Sequence, residues 1–259
     1  MGPRLRQLQA RALPSGALDL LRQIALMALA YYAYRMVRGA IDDPQGASIA
    51  FENARRIIAL EEGLHIFVEP AVQRWADRVP GLMDVASWLY INAQTSVTLG
   101  ALAYLYLFHN PSFYFVRNMF AVAFAIALVG YSVYPTAPPR FFPEWGFHDA
   151  VSQFAGVEHH DSVNTLFNPY AAVPSMHVGF ALMIGVPLSR LVRSPVLRAF
   201  WAGYPLGVSF VIVATANHWL VDAFLGALTA AAAASAALWL ARARPAAWAF
   251  APGPQVAAS

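Results

Sequence analysis

Four residues whose types could support a reaction each lie beside a long apolar stretch, namely Arg140, His177, His218 and Asp222. His218 and Asp222 are four positions apart, so on a helix they share one face. The carboxylate can then accept the proton of one ring nitrogen, and the other nitrogen can act as a nucleophile. His177 on a facing helix could protonate a leaving group. Arg140 and the backbone amides around Ser175 could neutralise a transferring phosphoryl group, so the pattern favours phosphoryl transfer.

The same residues allow other interpretations. His218 and Asp222 could form a structural hydrogen bond, or bind a metal ion with His177 as a third ligand. Arg140 could be an anchor at the level of the lipid headgroups. Ser175 with His218 could form an intramembrane serine protease, although the glycines that usually expose such a serine are missing. A proton-coupled transporter could use both histidines as a relay, although transporter sites lie near the middle of the bilayer.

Composition places these residues in a membrane protein. Of 259 residues, 59% are hydrophobic and only 12% are charged, whereas soluble domains carry about 25% charged residues. Cysteine is absent, which excludes disulfides and thiolate chemistry. All 17 basic residues are arginine, so any cation that binds phosphate is a guanidinium. The net charge of +3 and the lack of an arginine block argue against a nucleic-acid partner.

The apolar pattern predicts an all-α integral membrane fold with a six-transmembrane-helix bundle. A spanning helix needs about 20 mostly apolar residues, and six stretches qualify: 17–34, 82–108, 113–134, 171–192, 197–216 and 218–241. Between the first two, residues 42–79 predict an amphipathic helix lying in the membrane interface. Its apolar positions are Ile57, Leu60, Leu64, Phe67 and Val68. An ordinary amphipathic helix packed over the bundle is the alternative. A long loop, 135–170, precedes the fourth span.

The distribution of arginines predicts the orientation. The short loops around Arg117 and around Arg190, Arg193 and Arg198 are basic, which favours both termini on the cytoplasmic side and an extracytoplasmic loop at 135–170. The entrances of the fourth and sixth spans then face outward with it. We expect one membrane domain in a bacterial plasma membrane, with the first span and interfacial helix in 1–80, the helix bundle in 81–241 and a disordered tail in 242–259.

Three motifs carry a family resemblance. They are PTAPPR at 135–140, AVPSMH at 172–177 and NHWLVDAFLG at 217–226. In this order the chain resembles the type 2 phosphatidic acid phosphatase superfamily over roughly 82–241, and especially the branch of inositol phosphorylceramide synthases and their bacterial relatives. The resemblance implies that His218 forms a phosphohistidine, Asp222 orients it, and His177 protonates the leaving group and then activates the acceptor. It also implies that the substrate is contacted by Arg140, Ser175 and Asn217. No cofactor or metal ion would be required.

The chain departs from the commonest phosphatase pattern at three positions. Val133 stands where a lysine precedes the first-motif arginine, Ile212 stands where an arginine precedes the last histidine, and Met176 replaces the glycine of Ser-Gly-His. These departures match the inositol-phosphotransferase branch better. They also lower the positive charge around a phosphate, and another arginine from the interfacial stretch, such as Arg55, Arg56 or Arg74, could fold over the site.

The resemblance and the residues together predict a membrane enzyme, a lipid phosphatase or phosphotransferase. Its substrate would be a lipid phosphate that enters from the bilayer, either a phospholipid or a polyprenyl phosphate. Water as the acceptor makes the protein a phosphatase. An alcohol as the acceptor makes it a transferase, for example of a phosphoinositol head group. The expected partners are this substrate and the surrounding membrane lipids.

Overall fold

The regular elements of the computed structural model are helices. It describes Leu13, residues 15–40, 46–156 and 170–243; most of the predicted tail therefore lies outside the described residues. Within them the one pairing of strand type is an isolated bridge between Thr136 and Ala171. The α-helices are α1 (Ala17–Ala40), α2 (Gly46–Gly63), α3 (Glu69–Arg78), α4 (Leu82–Phe108), α5 (Asn110–Val133), α6 (Ala150–Ala155), α7 (Met176–Leu191), α8 (Pro195–Ala214) and α9 (Leu220–Ala243). The all-α prediction is confirmed.

Several of these helices have the length and surface of membrane helices. Among the described residues, α5, α8 and α9 are long and apolar enough to cross a membrane, and α7 is a shorter apolar helix. Large apolar side chains point outward from the bundle, including Val133 on α5 and Leu206 on α8, each 75% exposed. Such a surface is stable in contact with lipid. The chain is thus an α-helical membrane protein. That it crosses the membrane six times stays a prediction.

The core of the bundle forms where α4, α5, α7 and α9 meet. Phe120 and Ala127 of α5 pack with Met183 of α7, and all three are almost completely buried. Ala233 and Ala237 face the same core from α9. Small side chains let helix backbones approach closely in a membrane, where packing rather than water exclusion drives association. The alanine-rich sequence of α9 therefore matches its position against α5 and α7.

The segment predicted as one interfacial helix forms two helices instead. α2 and α3 are separated by a turn in which His65 has a positive φ of 58°. The buried face of α2 consists of Ala50, Ala54, Ile57 and Glu61, whereas Leu60 and Leu64, two of the apolar positions used for the prediction, are half or more exposed: 50% and 57%. This face of α2 packs with Ala137, Phe142 and Trp219, and the position of α2 relative to the membrane interface stays a prediction.

A buried polar network joins α1 to α4 and α5. Asp19 accepts hydrogen bonds from the hydroxyls of Tyr106 and Tyr114 and from the amide of Gln23. Arg117 donates to the Gln23 side-chain oxygen. Arg117 lies near the start of α5 and is only 4% exposed, so its guanidinium faces the interior of the bundle. Polar groups inside an apolar bundle must find partners within the protein, and this network supplies them.

Candidate active site

His218 and Asp222 meet at the start of α9. His218 precedes the helix, which begins at Leu220, and its Nδ1 lies 3.2 Å from Asp222 Oδ2. The same carboxylate oxygen accepts the backbone N–H of Trp219 at 3.0 Å. Both side chains are buried, Asp222 completely. Because the carboxylate can only accept a hydrogen bond, we assign the ring proton to Nδ1. Nε2, on the opposite side of the ring, is then unprotonated. The predicted pair therefore forms, through the turn that enters the helix.

His177 lies opposite His218. It is the second residue of α7, and the centroids of the two imidazole rings are 5.4 Å apart at an interplanar angle of 64°. The ring of Tyr90, from α4, stacks on His177 with centroids 4.6 Å apart. The structure thus brings the two histidines together and adds an aromatic side chain that holds His177 from the other side. No motif or spacing in the sequence pointed to Tyr90.

A backbone contact between α7 and α9 fixes the distance between the histidines. The N–H of Ser175 donates to the carbonyl oxygen of Asp222 at 3.0 Å. One turn further along α9, Gly226 lies against Ser175 so closely that a Cβ at Gly226 would be 2.2 Å from the Ser175 carbonyl oxygen. Only glycine permits this approach. This close contact explains why the third motif ends in a glycine.

Ser175 itself is fully buried in this junction. Its hydroxyl has no hydrogen-bond partner within the described part of the chain, and the residue is absent from the walls of the cavity beside the histidines. Its contact with substrate stays a prediction. The serine protease alternative needs a hydroxyl paired with an imidazole, and Ser175 has no such bond to His218.

Arg140 and Asn217 form the third side of the site. Arg140 lies on a short 3₁₀ turn, Pro139–Phe141, and its Nη1 donates to Asn217 Oδ1 at 2.6 Å. Its Nε lies 3.3 Å from a carboxylate oxygen of Asp149, a residue that also caps α6 by accepting the N–H of Ser152. Asp149 was missed by sequence reasoning because it lies in a loop without a recognisable motif.

The three arginines suggested as additional phosphate ligands do not reach this place. Arg55, Arg56 and Arg74 are exposed. Arg56 pairs with Glu52 on the surface of α2. Among the described residues that line the cavity, Arg140 is the one arginine.

Two apolar cavities meet at His177. The long cavity has a volume of about 820 Å³ and lies between α1, α4, α5 and α7. Arg140, His177 and His218 line one end, and Gln23 lies at the other end. The second cavity, of about 640 Å³, lies between α4, α7 and α8 and also reaches His177. Among the described residues, no group of three or more His, Cys, Asp or Glu side chains could hold a metal ion, so the metal-site alternative lacks a donor set there.

Comparison with known proteins agrees with the three motifs. A family model of the PAP2 superfamily matches residues 55–236, from α2 into α9. The match covers more than half of the chain and includes Arg140, His177 and His218. No curated protein and no solved structure matches the chain. The chain belongs to the PAP2 superfamily.

Proposed function

We propose that this protein is a lipid phosphatase or phosphotransferase that works through a phosphohistidine at His218. Members of the PAP2 superfamily are generally phosphatases and phosphotransferases. The observation that best supports the proposal is the position of two imidazoles and one guanidinium at one end of a long apolar cavity. A lipid phosphate has the same two parts, a charged head and an apolar chain. Such a match is typical of ligand sites that combine apolar walls with a few polar groups.

In the first step His218 Nε2 attacks phosphorus. The new N–P bond forms as the bond from phosphorus to the lipid oxygen breaks, and His177 donates a proton to that leaving oxygen. The positive charge on the His218 ring is stabilised by the Asp222 carboxylate, 3.2 Å from Nδ1. Arg140 neutralises the phosphate oxygens, with its guanidinium oriented by Asn217 and Asp149.

In the second step an acceptor oxygen attacks the phosphohistidine. His177, now deprotonated, takes the acceptor's proton, and the N–P bond breaks to release His218. We propose an alcohol as the acceptor, with a phosphorylated head group such as phosphoinositol as the transferred unit. The reason is the departure of Val133, Met176 and Ile212 from the phosphatase pattern. Water as the acceptor gives the phosphatase reaction instead.

The proposed setting is a bacterial plasma membrane with six spans and both termini in the cytoplasm. The substrate then enters the long cavity from the bilayer, and the head group meets Arg140 at the extracytoplasmic face. The outward-facing apolar surface of α5, α8 and α9 supports the membrane location, and the proposed orientation depends on the arginines near the predicted helix ends.

The test is a product analysis with purified protein. Lipid phosphates and phospholipids are supplied in micelles with a metal chelator, and water, inositol, sugars and lipid alcohols are compared as acceptors by mass spectrometry. We expect turnover without added metal and an acid-labile phosphoenzyme. His218→Ala should remove both. His109→Ala is the matched control, because His109 lies at the far end of α4 from Tyr90 and outside the cavity. Full turnover in His218→Ala would refute the assigned nucleophile.

A further inference from the structure

Two buried glutamates hold the beginning of α9 from outside the motifs. Glu61 comes from α2 and Glu69 opens α3, and both are completely buried. Glu69 Oε1 accepts the N–H of Leu220 at 2.8 Å, and Glu61 Oε1 accepts the N–H of Val221 at 2.8 Å. The first N–H groups of a helix have no partner inside the helix, so these two carboxyls supply them.

With Asp222, three carboxyls cap three consecutive N–H groups. Asp222 Oδ2 accepts the N–H of Trp219, Glu69 that of Leu220 and Glu61 that of Val221. His218 directly precedes this row. A helix N-terminus stabilises negative charge, yet three buried carboxylates this close would repel each other strongly. At least one of them has to carry a proton.

The contact between the two glutamates is the place for that proton, because two carboxyls can form a side-chain hydrogen bond with each other only when one of them is protonated. Glu61 Oε2, Glu69 Oε2 and Asp222 Oδ1 are all buried, and none of them has a hydrogen-bond donor as a partner in the described part of the chain. Burial, the hydrogen bond with Glu69 and the charge of Glu69 raise the pKa of Glu61 to about 9, with a smaller contribution from the charge of Asp222. A proton held between the two Oε2 atoms satisfies both and leaves the pair with one negative charge.

We propose that Glu61 and Glu69 are positioning residues that share one proton and hold the start of α9, and with it the His218–Asp222 pair, in its reactive orientation. This inference rests on the proposed function of His218. Neither glutamate touches the cavity, so the pair acts through the helix end. Loss of its orientation would misplace the nucleophile, and a displacement of about 1 Å can lower a rate by about 10²-fold.

The charged groups around Glu61 determine the expected pH dependence. Glu69 acts on it from α3 and Asp222 acts on it from α9. Folded Glu61 keeps its proton up to about pH 9, whereas in the unfolded chain it ionises near the ordinary value of 4.5. Between these values the folded state binds more protons, so stability falls as the pH rises. Above about 9 the pair carries two charges, and the cap and the activity should be lost together.

Glu61→Gln and Glu61→Ala test the shared proton. In Glu61→Gln the amide oxygen still accepts from Val221 and the amide N–H donates to Glu69, which reproduces the protonated pair without a titrating group. We expect turnover close to that of the wild type at pH 7 and a smaller loss of turnover above pH 9. Glu61→Ala should lower kcat by about 10²-fold with little change in KM. Glu62→Gln, at an exposed position on the same helix, is the matched control.

An infrared measurement separates this inference from the proposed function. The wild type should show the carbonyl stretch of a protonated carboxyl at pH 7, and Glu61→Gln should remove it while Glu62→Gln keeps it. This readout does not depend on turnover, so it remains decisive if no substrate is found or if Glu61→Ala does not fold. An unchanged band in Glu61→Gln, or an alkaline activity loss identical to that of the wild type, would overturn the shared proton.

Discussion

At the scale of single residues, each group that is proposed to react contacts a second side chain that orients it. Asp222 lies behind His218, Tyr90 stacks on His177, and Asn217 accepts from Arg140. Oriented groups need little rearrangement when charge develops in the transition state, and this is a large part of catalysis. The orienting side chains should therefore affect turnover more than substrate binding.

Asp222→Asn tests this expectation at the carboxyl group that contacts His218, the proposed nucleophile. The amide is similar in size but lacks the charge that stabilises a positively charged His218 ring, and it can favour the wrong tautomer. We expect kcat to fall by about 10²–10⁴-fold with lipid binding retained, measured by single-turnover phosphoenzyme formation and by lipid binding. Asp84→Asn, at an exposed position of α4, should behave like the wild type. Equal turnover of the two variants would contradict the role of Asp222.

At the scale of helices, the junction between α7 and α9 sets the geometry of the two histidines. Backbone meets backbone there, through the hydrogen bond from Ser175 to Asp222 and the contact at Gly226. Side chains can change rotamer, but a close backbone contact has few alternatives. The relative position of the two imidazoles is thus determined by helix packing.

Gly226→Ala should disturb both stability and turnover. The added Cβ would lie 2.2 Å from a backbone oxygen, so the helices must move apart, at a cost of about 1–3 kcal/mol. We expect a lower melting temperature in detergent and a reduced kcat. Gly207→Ala on α8 is the control, because nothing lies within 4 Å of its Cβ position. There alanine should stabilise the helix by about 0.5–1 kcal/mol, and a Gly226→Ala variant as stable as this control would argue against the close contact.

The sequence was a good guide to the helices and a weaker one to their faces. Apolar runs predicted α4, α5 and α8 within a few residues, because a spanning helix has to be continuous. The faces of residues 42–79 were harder to predict, since Ile57 is buried whereas Leu60 and Leu64 are exposed. In a membrane protein apolar side chains are stable on either side of a helix, so small and polar residues identify the packed face better.

Among the site residues, contacts between near neighbours in the sequence could be predicted, and contacts between distant residues could not. The His218–Asp222 pair could be predicted because its partners are four residues apart in the chain. Glu69 lies 151 positions from its partner Leu220, and Tyr90 lies 87 positions before its partner His177. Such contacts depend on how whole helices pack, which no local spacing reveals. They need the three-dimensional arrangement.

At the scale of the whole molecule, the long cavity extends through much of the bundle. Along α4 it runs from Tyr90 to Leu107, which is about 25 Å at roughly 1.5 Å per residue. The hydrocarbon layer of one leaflet is about 15 Å thick, half of the hydrocarbon core of a bilayer, so the cavity is longer than one leaflet. The cavity ends near Gln23, which belongs to the buried polar network with Asp19 and Arg117. The apolar chain of a lipid bound in this cavity would therefore meet polar side chains at the end of the cavity far from the histidines.

The length of this cavity predicts a preference for long-chain lipids. Each added methylene that leaves water contributes about 0.8 kcal/mol, so kcat/KM should rise by up to about fourfold per methylene until the cavity is filled. Leu102→Trp adds bulk to a wall near the middle of the cavity and should move the optimum to shorter chains. Leu206→Trp, on the outer surface of α8, should leave it unchanged. An optimum that is the same in both variants would show that the chain binds elsewhere.

The separation of Gly226 and Ser175 from the cavity walls has a consequence for divergence within the family. The two histidines proposed to react lie at the starts of α7 and α9, whereas much of the wall that an apolar chain would touch comes from α1 and α4. Substitutions in those two helices at positions other than Tyr90 can change the range of accepted lipids and leave the positions of the imidazoles intact. New specificities can therefore arise without rebuilding the chemistry.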